Sequence, residues 1–234
     1  MNAIAIAELR LLVRNRLVAG CAILFPCLFA AAFYLSRDTH SGGGSVAGVQ
    51  VVAMAAMGTY VTATTTLATR RQTLYLKRMR GAAISDRSII AGLMAPLIAV
   101  NIAQIAIVLG ILAAHGAPSN PVLLIAAIVI AEAMFTGLAL ATAGFTASPE
   151  QAQYTTIPIF FAATAAAVLS QAPGFGDLTT LKRALPGGAL TELIMTAWNG
   201  GSLSNVPLLL VPSLAWAALG VLAARRFFRW EPRR

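Results

Sequence analysis

The sequence predicts an all-α polytopic membrane protein with six transmembrane helices, and three observations predict it. Of the 234 residues, 58% are hydrophobic and 11% charged, with a mean hydropathy of +0.78, far from the balance of a soluble domain. The apolar residues come in long unbroken runs, without the alternation of a membrane β-barrel. Lipid offers a backbone no hydrogen-bond partners, so such runs must satisfy their own N–H and C=O groups as helices.

A crossing takes about 20 mostly apolar residues. Runs of that length fall at 17–35, 46–68, 88–113, 121–145, 154–170 and 206–224. The first follows Arg10, Arg14 and Arg16, and no small-residue cleavage pattern precedes Arg37 and Asp38, so it is expected to be a mature span. The second is rich in hydroxyls, with Thr59, Thr62, Thr64, Thr65, Thr66 and Thr69. The third places Asn101 and Gln104 three residues apart on one helical face. Glu132 lies near the middle of the fourth, where an ionisable group is costly and turns toward protein or water. Two roles stand open for it: receiving a cationic substrate, or serving as a hydrogen-bonded structural carboxyl with Asn101 and Gln104 as partners. Ala133, Gly137 and Ala141 form a small-residue track for close helix packing. The fifth run opens with Tyr154, Thr155 and Thr156, followed by Phe160 and Phe161, and Pro26, Pro96, Pro158 and Pro212 are expected to kink four spans. Between the fifth and sixth runs, Leu185-Pro186-Gly187-Gly188 leads into a helical stretch ending at Trp198. That stretch is too short to cross and is expected to be interfacial or re-entrant, with the Trp198 ring at headgroup depth.

Orientation follows from the basic residues. Only Arg37, Lys182 and Arg183 fall on one side, and the other Lys and Arg residues gather before the first run, between the second and third, and after the sixth. Positive flanks stay cytoplasmic, so both termini are expected inside a bacterial plasma (inner) membrane. The net charge of +9 then serves to hold loops beside anionic lipid, and no nucleic-acid partner is expected. Cys21 and Cys27 read as small buried hydrophobes on different helical faces, and His40 and His115 as loop residues, so no metal site is expected. The sequence contains no GxxxxGK[ST], HExxH or GxSxG pattern, so no catalytic residue is assigned.

Two basic segments carry more than topology. Ile6, Leu9 and Val13 make an apolar stripe beside Arg10 and Arg14, the pattern of an interfacial amphipathic helix; a plain basic flank is the simpler alternative. The loop from Arg70 to Ser85 sets Leu74, Lys77 and Arg78 at helical spacing and leaves Leu76, Met79 and Ala83 as an apolar side, with Gly81 placed to end a short helix. Here the sequence resembles the type 2 permease subunits of ATP-binding-cassette exporters. Their second and third spans are joined by a segment patterned like Arg-Arg-Glu-Arg-Gly-x-Leu-Lys-Arg-Leu-Arg-x-Thr-Pro-Leu, which Arg70, Arg71, Leu76, Lys77, Arg78 and Arg80 match, with Met79 and Ile84 as conservative replacements. Gln72, Leu74, Ala82 and Ala83 depart from it, standing for Glu, Gly, Thr and Pro.

The resemblance implies a single transmembrane permease domain over 1–234, without its own ATPase site. It implies that Arg70, Arg71, Leu76, Lys77, Arg78, Met79 and Arg80 form a cytoplasmic coupling helix for two nucleotide-binding subunits, which hold ATP and magnesium. A second permease, identical or related, would complete the pair. Spans two and five would meet there, with Thr62, Thr65, Thr66, Asn101, Gln104, Glu132, Tyr154, Thr155, Phe160 and Phe161 along the translocation path. Leu185 and Pro186 would begin short external re-entrant helices. With aromatic residues at 7%, the path offers little stacking for sugars, so an amphipathic drug, antibiotic or lipid-like molecule is expected as the exported substrate. A proton-coupled secondary transporter is the rival reading, and a membrane scaffold or enzyme a weaker one.

Overall fold

The computed structural model describes residues 6, 43–81, 85–114, 116–171, 178–228 and 230. Among them every regular element is a helix. The expected first span at 17–35 lies outside the described residues, as do Leu9, Arg10, Val13 and Arg14 of the expected interfacial helix; Ile6 of that helix is exposed. The described elements are α1 (Gly43–Gln72), α2 (Tyr75–Arg80), α3 (Asp86–Ala113), α4 (Pro121–Ala143), α5 (Pro149–Thr155), α6 (Ile157–Leu169), α7 (Thr179–Ala184), α8 (Gly188–Asn199) and α9 (Val206–Phe227).

Four helices, α1, α3, α4 and α9 with its preceding 3-10 turn, are long and apolar enough to cross a membrane, and the bent pair α5–α6 makes up to five. Of the six expected spans, the first lies outside the described residues, and the other five fall on these four helices and the bent pair. Each of these coincides with an expected run to within a turn or so. Their starts follow local chemistry. Ser85, Asn120 and Ser148 each accept a hydrogen bond from a backbone N–H of the first turn that follows, and Pro121 and Pro149 come next, where a missing N–H costs nothing. At Pro158 the expected kink takes the form of a break in the span. The proline sits in the first turn of α6, just past a 40° bend at Thr156, because proline begins a helix more readily than it continues one. Pro96 and Pro212 remain inside continuous α3 and α9.

The central helix is α4, with α9 packed along it on one side and α1 on the other. Without a hydrophobic drive between helices in lipid, close approach and hydrogen bonds decide such packing. A Cβ at Gly137 would stand 2.9 Å from the Gly220 carbonyl carbon, and one at Gly220 2.9 Å from the Leu138 nitrogen, so α4 and α9 cross backbone to backbone. Gly137 and Ala141 of the small-residue track are buried, whereas Ala133 is exposed. Outward faces carry Ile102, Ile107 and Ile111 on α3, Val122, Ile125 and Val129 on α4, and Leu208, Val211 and Leu222 on α9. An apolar surface of this extent suits lipid and would drive association in water.

The short α8, expected to be interfacial or re-entrant, packs inside the bundle. It is wedged among α1, α4 and α9, with Trp198 buried over Gly43 at the start of α1. A buried helix end needs partners for its free carbonyls. Ser119 and Asn120 donate their backbone N–H groups to the carbonyls of Trp198 (3.0 Å) and Ala197 (2.8 Å), and the Gly44 N–H reaches the Asn199 side chain at 3.2 Å. At the other end, Leu185 is half-buried and extended, Pro186 is buried, and Gly187 turns the chain at φ +100°. A Cβ at Gly187 would also press on the Ala163 carbonyl and on Val52, so only glycine fits this corner.

Candidate functional site: the Glu132 clasp and the basic end

Inside α1, residues Ala55–Val61 form a π-helical stretch. Such a stretch closes i→i+5 hydrogen bonds, is rare and tends to occur at functional positions. On one side of it Met57 is exposed, and on the other Thr59 turns into the bundle. The Thr59 hydroxyl donates to Glu132 Oε2 at 2.7 Å, and Asn101 Nδ2 donates to Glu132 Oε1 at 2.7 Å. Three helices, α1, α3 and α4, therefore meet on one carboxyl. Glu132 is 5% exposed, Thr59 and Asn101 1% each. Asn101 can come this close because residue 58 is glycine: any Cβ there would collide with its amide oxygen. That oxygen has no hydrogen-bond partner. The contact continues one turn on, where the Tyr60 and Thr142 hydroxyls are 3.1 Å apart and Thr64 donates to the Tyr60 carbonyl at 2.8 Å.

Of the two roles left open for Glu132, this geometry fits the structural carboxyl. Two neutral donors hold it and the chain encloses it, leaving no room for a bulky cation in this conformation. Asn101 is one partner, as expected; Gln104 is half-buried one turn further along α3. Thr59 is the other partner, which the sequence did not single out among the six threonines of its run.

The remaining residues of the expected path do not converge with the clasp. Thr62, Thr65 and Thr66 lie half-buried on the open side of α1, and the Thr62 and Thr65 hydroxyls bond back to the carbonyls of Met57 (3.1 Å) and Val61 (2.9 Å) of their own helix. Tyr154 and Phe161 are exposed, Phe160 is packed against the core and stacks edge-on to Phe161 at 5.4 Å, and Thr155 meets the Thr146 hydroxyl at 2.9 Å.

At the end of α1 opposite Trp198 the basic residues gather. Arg71 is 1% exposed: its Nη1 donates to the Thr146 carbonyl at 3.2 Å and its guanidinium stands 5.9 Å from the Phe228 ring. It is therefore a strut between α1, the α4–α5 loop and the end of α9, inside the bundle and away from any docking surface. Leu74 then turns the chain at φ 56°, a left-handed conformation that favours glycine, and α2 follows. Leu76 is fully buried and Met79 half-buried against the core, whereas Lys77, Arg78 and Arg80 are exposed. Gly81 closes α2 as expected, in a right-handed conformation. Arg70 covers the Tyr75 ring at 4.9 Å, Arg78 Nη2 donates to the Thr73 carbonyl at 2.9 Å, and Arg80 lies 3.4 Å from Asp86 and 5.5 Å from the Trp230 ring. The aromatic residues after α9 thus meet the joint between α1 and α2, Phe228 at Arg71 and Trp230 at Arg80, a role no sequence pattern announced. At the other end Lys182 is buried with Nζ 3.3 Å from the Leu169 carbonyl, and Arg183 pairs with Glu192 at 2.7 Å.

No family model, curated protein or solved structure matches this chain. The functional reading therefore rests on the residues and their arrangement.

Proposed function

We propose that this chain is the transmembrane subunit of an ATP-driven exporter of the type 2 permease kind, moving an amphipathic small molecule out of the cytoplasm with ATP hydrolysed by separate subunits. The observation that carries the reading is α2. This helix joins two long apolar helices, anchors itself by buried Leu76 and presents Lys77, Arg78 and Arg80 outward, the arrangement needed to take a push from a partner and pass it to α1 and α3. The buried α8 and the concentration of basic residues at the α2 end agree with it. On this reading both termini and α2 are cytoplasmic, two ATPase subunits carry ATP and magnesium, and a second permease, identical or related, meets the threonine-bearing side of α1. ATP would act by binding the two access states with different affinity.

The test is co-expression with candidate ATPases and purification through a tag on this chain. An ATPase that co-purifies, and whose activity is uncoupled from substrate by alanine at Lys77, Arg78 and Arg80, supports the reading. Retention of no ATPase by the intact chain transfers support to a proton-coupled secondary transporter with Glu132 as its intramembrane carboxyl.

A further inference from the structure

We propose that the Thr59–Glu132–Asn101 clasp is a rotational lock on α1: it holds Ala55–Val61 in π-helical form, and its release turns the half of α1 that carries α2. The lock does not depend on what the chain transports.

The argument starts from the helix itself. A π-helical stretch has poorer hydrogen-bond geometry than the α-helix around it, so an unrestrained segment relaxes to α and something outside α1 must hold it. The clasp is placed to do so. Thr59 is a π-helical residue, its hydroxyl reaches across to α4, and the α3 partner of the same carboxyl fits against Gly58 of the same stretch. Within α1 the Thr62 hydroxyl bonds to the Met57 carbonyl at 3.1 Å across the same stretch, while the Met57 side chain faces the open side and touches no other helix's share of the clasp.

Relaxation has a defined consequence. Closing the stretch as α advances everything after it by about one residue's rotation, roughly 100°. Thr64, now fully buried, would move to the half-buried place of Thr65, and half-buried Thr66 would move to the buried place of Leu67. The rotation reaches Gln72 and, through Thr73 and Leu74, α2. By contrast α9 is held to α4 by the Gly137–Gly220 crossing and should stay. The clasp in the middle of the bundle thereby acts on the orientation of its basic end, and the turn exchanges the Tyr60–Thr142 and Arg71–Thr146 contacts of the present register for others.

The test uses the full chain in lipid nanodiscs with Cys21 and Cys27 changed to Ser and spin labels at Gln72→Cys and Arg226→Cys, both exposed positions. Pulsed electron resonance reads the distance between them. The parent and Glu132→Gln should give one distance, since glutamine can still accept from Thr59 and, with the Asn101 amide turned over, can donate to the Asn101 oxygen. Glu132→Ala and Thr59→Val should populate a second distance, displaced on the order of 5 to 10 Å for a label on a helix of this radius, its share raised about tenfold. A parent-like distance distribution in folded Glu132→Ala and Thr59→Val overturns the proposal, as does general broadening without a second discrete distance. If Glu132→Ala does not fold, Thr59→Val decides, because it keeps nearly the same volume and leaves the Asn101 bond intact.

Discussion

Leu74 is the one described non-glycine residue at positive φ, and it stands where the permease pattern has glycine. A left-handed leucine costs about 1 to 2 kcal/mol that a glycine avoids. Replacing it by glycine should stabilise the α1–α2 joint by up to about 1 kcal/mol after the entropic cost of glycine, whereas Leu74→Val should destabilise it; thermal unfolding in detergent reads both. Glu132 offers a sharper contrast. Alanine there strands the Thr59 and Asn101 donors, each at about 1 to 3 kcal/mol, whereas glutamine still accepts from Thr59 and, once the Asn101 amide turns over, donates to its oxygen, and should cost about 1 kcal/mol. Equal losses for the two variants in denaturant unfolding would sink the clasp as a stabilising element. At neither position does residue identity announce the context: a leucine in a basic loop and a glutamate in an apolar run are visible, but not their dihedrals or partners.

Among the elements, α1 is the unusual one. A π-helical stretch accommodates one residue beyond an α turn, so deleting exposed Met57 should restore a plain α-helix while keeping Thr62–Gln72 in its present register. The expected outcome is a folded protein in which Thr64 remains protected from alkylation after change to cysteine; exposure of that position would mean that the flanking register is not kept. The α4–α9 pair makes the opposite prediction. Gly137→Leu forces apart backbones that now touch, and overpacking of this kind costs about 1 to 3 kcal/mol or more, seen as a lower unfolding temperature, while leucine at exposed Ala133 should cost little. Half of that contact was legible, since Gly137 belongs to a visible small-residue track. Its partner Gly220 was not, because a helix apolar nearly all round gives no sign of which face meets which neighbour.

For the whole molecule, charge is distributed by end. Arg70, Lys77, Arg78, Arg80, Arg87, Arg225 and Arg226 collect where α1 and α9 finish and α3 begins, and Lys182 and Arg183 are near the opposite end, where Trp198 meets Gly43. If the positive end faces the cytoplasm, a cysteine at Ser119 should react with a membrane-impermeant maleimide from outside intact cells and one at Gly81 only after lysis. The reverse pattern would invert the proposed topology and with it the direction of export.

The sequence by itself determined the helical class and the positions of the long apolar helices from 46 onward, because a crossing takes about 20 apolar residues and lipid leaves the backbone no alternative to a helix. It also marked Glu132, Asn101 and the basic loop as places of interest. Only the tertiary structure decided that Thr59 completes the clasp, that Arg71 is buried under Phe228, that α8 is enclosed and that α1 contains a π-helical stretch. The reason is rotational: a run of apolar residues fixes that a helix crosses, but not how far it is turned about its own axis. In lipid that angle is chosen by small residues and hydrogen bonds contributed by other parts of the chain.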